Sequence, residues 1–139
     1  QAAGRVGRGG PYTGVFGGAA YDLQFRWTNI YLTDLGKQAE FLAAMVRQDP
    51  RIDTSLARFV QVAHTRLDCE AEQDRIMAVV GKSFRVFGVS CSSDSAVLGV
   101  GVDDTAAAGA FFADPANGFP APGFRIEVAP GTPMIAVTG

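Results

Sequence analysis

Imidazole, thiol and lysine are scarce: the 139 residues hold one histidine (His64), two cysteines (Cys69 and Cys91) and two lysines (Lys37 and Lys82). A zinc site takes three or four converging ligands, usually several of them His or Cys, and a single imidazole leaves that chemistry short of donors. No window approaches the roughly 18 consecutive apolar residues that span a bilayer, and no short apolar run follows a basic start as in a signal peptide. With 12 basic and 14 acidic residues the net charge is -2, so the field of the whole molecule gives no reason to expect nucleic acid or an anionic membrane as partner. The excess of arginine over lysine is what a GC-rich genome produces without any selection for guanidinium chemistry.

What is present is the composition of a folded domain. The hydrophobic fraction is 47%, the charged fraction 19%, and ten residues are phenylalanine, enough for a core without a metal. A chain of this length reads as one domain that removes roughly two-thirds of its unfolded surface from water. It begins at Gln1 rather than Met. That is the pattern of a processed, exported protein in an oxidising, extracytoplasmic setting (secreted, periplasmic or particle-associated), although a trimmed chain would start the same way.

Residues 1–18, "QAAGRVGRGGPYTGVFGG", contain seven of the 17 glycines. Glycine loses the most backbone entropy on ordering, so this segment is expected as an extended arm, with residues 19–139 forming the α+β domain. From Tyr21 the residues Tyr21, Leu23, Phe25 and Trp27 alternate with polar ones, the period of a half-buried strand. Thr33 or Asp34 can cap a helix carrying Leu35, Leu42, Met45 and Val46, ended by Pro50. Asp53 can cap a second helix with a stripe of Leu56, Phe59, Val60, Ala63 and Leu67, stopping at Gly81. Leu67 and Ile76 fall on opposite faces of such a helix, so either it is buried on both sides or, the favoured expectation, it breaks or kinks within "DCEAEQD", where Asp68 could cap a new segment. "SFRVFGVSC" and "AVLGVGV" read as a hairpin turning at residues 92–95, "FRIEVA" and "PMIAVT" as further strands, and the stretch between as a long loop with a possible helical turn. The expected fold is therefore a strand, two or three helices and then a four-stranded, largely antiparallel sheet packed on the helices, with no internal repeat.

The stretch "RLDCEAEQDR" places Cys69 among four carboxylates just after His64. It lacks the alternating acid and glycine plan of a calcium loop, and acids along a helix are usually a solvated face. No metal site is expected. Paired with Cys91, 22 positions on, Cys69 would close a loop worth roughly 3 kcal/mol, whereas in a reducing compartment both would be small buried apolar residues. As a nucleophile, Cys69 or Cys91 would need His64 as base; five residues along a helix turns Cys69 some 140° away from it, while Cys91 with His64 stays geometrically open. "GVSCSSD" is not a nucleophile elbow, and "GKS" at residues 81–83 leaves a helix for a strand, the wrong order for a phosphate loop. No dinucleotide fingerprint is supported, and no cofactor is expected.

The remaining candidates point to partners. Arg5 and Arg8 lie between glycines in the arm, and Tyr12, Val15 and Phe16 could anchor it on a neighbouring subunit. Phe111, Phe112, Phe119 and Phe124 exceed what a solvated loop needs, so they could form an interface or line a pocket. The expected function is a noncatalytic structural or interaction subunit of a larger filament, envelope or virion assembly, contacting protein subunits as a homo-oligomer through arm and loop. The alternative class is a small-ligand-binding domain or enzyme with a pocket between helices and sheet, His64 serving as acid or base.

Overall fold

The computed structural model describes residues 2–132. The first unit runs to Cys69 and includes Ser93–Ala96; the second comprises Glu70–Ser92 and the chain from Val97 onward.

In the first unit, helix α1 (Ala2–Arg8) leads through a turn into strand β1 (Phe16–Asp22), which pairs antiparallel with β2 (Trp27–Leu32). Asp34 accepts a hydrogen bond from the Gly36 N–H at 2.8 Å and caps a 3-10 turn, Leu35–Lys37, which feeds helix α2 (Gln38–Gln48). A second 3-10 turn, Thr54–Leu56, capped by Asp53, delivers β3 (Ala57–Gln61) parallel to β2. A parallel neighbour needs a crossover connection, and α2 supplies it.

The core of this unit is aromatic at its centre. Phe41 of α2 is fully buried, stacks on Phe16 at 5.8 Å, and meets Tyr12 and Phe59 edge-on at 5.5 and 6.4 Å. Around it close Ile30 and Leu32 from β2, Met45 from α2, and Ala2, Ala3 and Val6 from α1. Gly7 lets α1 come this near, because a Cβ there would occupy the ring of Phe16. The first eighteen residues, expected as an extended arm, thus contain a helix whose apolar face is buried.

Helix α3 (Arg66–Met77) carries the chain into the second unit. Its start is a capping box in which the Asp68 N–H donates to Thr65 Oγ1 at 3.1 Å and the Thr65 N–H to Asp68 Oδ2 at 3.2 Å. Then come β4 (Val86–Cys91) antiparallel to β5 (Val97–Val102), helix α4 (Thr105–Ala113) capped by Asp104, a 3-10 turn at Pro115–Asn117, and β6 (Arg125–Pro130) parallel to β5. Leu98, Val100 and Val102 on β5 are buried with Ile76, Phe84, Ala108 and Phe112.

The two units share one plan. Each has a helix, an antiparallel pair, a crossover helix and a third strand parallel to the second, with the second strand in the middle. The registers coincide after a shift of 70 positions: Phe16 pairs with Leu32 as Val86 with Val102, and Gly18 with Tyr31 as Gly88 with Gly101, each with an irregularity in between. Asp34 and Asp104 cap the crossover in the two copies.

Four expectations are corrected. The four-stranded, largely antiparallel sheet is two mixed three-stranded sheets, and the internal repeat expected to be absent is present in the backbone plan. The single strand expected over residues 21–28 is broken by a hairpin turn, with Tyr21 and Asp22 ending β1 and Trp27 and Thr28 opening β2, because Asp22 captures the chain: its Oδ1 accepts from the Gln24 and Phe25 N–H groups at 2.9 and 3.1 Å, and its carbonyl from Arg26 at 2.8 Å. The long helix expected from Asp53 instead holds β3, since β-branched and aromatic side chains at Phe59 and Val60 suit a pleated surface and α3 starts only at Arg66. The hairpin turning near residues 92–95 is found, while the strand expected over "PMIAVT" lies outside the described residues.

Replacing Phe41 by Ala is expected to cost about 3–5 kcal/mol in urea unfolding, whereas Phe25→Ala, at a side chain 54% exposed, costs less than about 1 kcal/mol. Equal losses would contradict the central place given to Phe41.

Candidate functional site

The first unit has a cavity of about 450 Å³, open to solvent, lined by residues from its helices and its sheet. Its apolar lining comes from Ala2 and Ala3 on α1, Met45 on α2, and Ile52, Leu56 and Ala57 in the segment entering β3. Its polar lining comes from Arg5 on α1, Tyr21 and Thr28 on β1 and β2, Arg26 in the turn between them, and Asp49, Asp53 and Thr54 after α2. Arg26 takes a left-handed backbone, φ 59°, imposed by the turn that Asp22 closes.

The charges of this lining are not equally free. Asp49 Oδ1 accepts from the backbone N–H and Nε of Arg51 at 3.1 and 3.2 Å, and these two bonds, aided by the charges of Arg51 and Arg5, hold its carboxyl below the usual range. Asp53 Oδ1 accepts from the Ser55 hydroxyl at 2.6 Å and the Ser55 N–H at 3.0 Å, which lowers its carboxyl likewise. Both acids are ionised and engaged. The guanidinium groups of Arg5 and Arg26 make no hydrogen bond or ion pair among the described residues, although the charge of Arg5 acts on Asp49.

Beside the cavity the β1–β2 turn presents Tyr21, Leu23 and Phe25 at 52%, 84% and 54% exposure. Phe25 stacks on Trp27 at 4.6 Å, and the Arg58 guanidinium lies 4.7 Å from the centre of the indole. The turn is therefore rigid as well as apolar. Periodicity hides it, because alternating apolar residues look the same in a strand as around a turn; the signal that could have revealed it is Asp22, whose short acceptor side chain favours such turns.

The structure distributes the sequence-predicted residues as follows. Cys69 and Cys91 are disulfide-bonded. His64 is half-buried, its Nδ1 3.6 Å from Asp68 Oδ2, and is not among the residues lining the cavity. Of the arm residues, Phe16 is in the core, Tyr12 and Val15 pack against it, and Arg5 and Arg8 are exposed. Phe111 and Phe112 belong to α4 and form a ring cluster with Phe84 and Phe119, with Arg75 4.6 Å over Phe119. The acids of "RLDCEAEQDR" do not all face water. Glu72 is 2% exposed, paired with Arg75 and accepting the Ala121 N–H, while Arg75 Nη2 donates to the Gly118 carbonyl at 2.7 Å, so the pair ties the loop after α4 to α3.

No family model, curated protein or solved structure matches this chain. Among the described residues no helix is long and apolar enough to cross a membrane, and no cluster of three or more His, Cys, Asp or Glu could hold a metal.

Two measurements test this description. Changing both cysteines to Ser should lower unfolding stability by about 3 kcal/mol, the worth of closing a loop of this length; an unchanged urea midpoint would contradict a structural disulfide. Burial, then the negative charges of Asp94 and Asp22, push the Tyr31 phenol above its ordinary value. The fold favours the protonated phenol, so its stabilisation is complete below the ordinary tyrosine value of about 10 and is lost as pH rises through the raised one. Absorbance at 295 nm should show a late-titrating phenol, and Tyr31→Phe should abolish that late phase.

Proposed function

We propose that the protein is a noncatalytic interaction subunit that docks on neighbouring copies of itself through the β1–β2 turn. The observation that carries this reading is the exposure of Tyr21, Leu23 and Phe25 together on one rigid turn. Contiguous exposed apolar groups of this kind mark interaction surfaces, and a turn already held by Asp22 loses little freedom on docking. Burying Leu23 and Phe25 in a partner would contribute roughly 1.5–3 kcal/mol each. This shifts the contact from Tyr12, Val15 and Phe16, which the first unit takes into or against its own core. The disulfide supports an oxidising, extracytoplasmic setting for such an assembly.

Sedimentation velocity over a concentration series tests the proposal. The wild-type chain should associate, and Leu23→Ser with Phe25→Ser should raise the dissociation constant by about a hundredfold or more while leaving the urea midpoint nearly unchanged. A wild-type chain that stays monomeric at the highest concentrations, or a double variant that assembles as well as wild type, would overturn it.

A further inference from the structure

We infer that the cavity of the first unit is a receptor for a small organic carboxylate, its acid group held by Arg5 and Arg26 and its apolar body resting on the apolar lining. Leu23 and Phe25 of the proposed docking surface do not line the cavity, whereas Tyr21 and Arg26 at the same turn do.

Three observations converge. The first is size: about 450 Å³ falls in the range of small-molecule pockets, roughly 300–1,000 Å³. The second is the composition of the lining, which sets apolar residues including Met45, Ile52 and Leu56 beside polar and charged ones, the mix that an amphipathic ligand needs. The third decides the sign of that charge. Each carboxylate already accepts two hydrogen bonds on one oxygen, Asp49 from Arg51 and Asp53 from Ser55, whereas the guanidinium groups of Arg5 and Arg26 make no hydrogen bond or ion pair among the described residues.

A guanidinium offers parallel N–H donors that match a planar carboxylate two at a time. The two arginines come from different elements, one on a helix packed into the core and one on a turn closed by Asp22, so a carboxylate that meets both meets groups whose backbones are already placed. A cation would have to compete with Arg51 for Asp49 and would face the guanidinium groups of Arg5 and Arg26.

Octanoate is the probe, with 1-octanol and octylammonium as the same body carrying no charge or the opposite one. Affinities are read by calorimetry, and the location by amide NMR shifts. Octanoate should shift Thr28, Thr54 and Ala57, 1-octanol should bind at least tenfold more weakly, and octylammonium should produce no shifts there. Arg5→Gln with Arg26→Gln should weaken octanoate at least tenfold and leave 1-octanol unchanged; both side chains are exposed, so the double variant is expected to fold. Leu56→Asp, at a side chain 44% exposed, should weaken octanoate by a second route. Equal affinity for octanoate and 1-octanol, an unchanged affinity in the double arginine variant, shifts confined to other residues, or no binding of octanoate would each overturn the inference.

Discussion

A central strand can satisfy its backbone only with a neighbour on each side, and when one neighbour is parallel the chain has to travel back the length of the sheet before pairing. Both units of this protein obey that constraint in the same way. A tight turn gives β2 and β5 their antiparallel partners, and α2 and α4 carry the chain back to give them their parallel ones. The crossover helix then lies on the sheet, so the middle strand has a buried face, and Ile30, Leu32, Leu98, Val100 and Val102 are all at most 1% exposed. Asp34 and Asp104 recur because each crossover must begin with N–H groups that no preceding turn can satisfy.

The features of functional interest lie beside that packing. In the first unit the aromatic centre at Phe41 packs between helices and sheet, and the cavity is lined by Ala2, Ala3, Met45 and Ala57 from the same elements. Beside it is the β1–β2 turn, whose geometry is set by Asp22 and whose apolar side chains are exposed. Tyr21 and Arg26 belong both to the cavity lining and to the exposed end of the hairpin, so the two features adjoin.

Local chemistry was legible where it depended on neighbours in sequence. The β4–β5 hairpin could be read from two alternating runs around a serine-rich turn, and the capping role of Asp34 from its place before a helical stripe. Phe41 was missing from that stripe although it is the centre of the first core, because which apolar residue of an amphipathic face lies deepest depends on the sheet above it. The duplication was hidden for a related reason. It preserves register and burial, with Ile30 and Leu32 answered by Val100 and Val102, while the residues themselves differ. Glu72 looked like one more solvated acid until the loop at Ala121 closed over it.

The sequence by itself determined the folded α+β character, the candidate caps and the pairing open to two cysteines, since composition, short-range hydrogen bonding and loop entropy act along the chain. Only the tertiary structure decided that the strands divide into two mixed sheets, that α1 is buried against Phe16, and that Arg5 and Arg26 line one cavity. Those outcomes rest on pairings between segments far apart in sequence. Their energies come from shared burial and close approach, which no single segment contains.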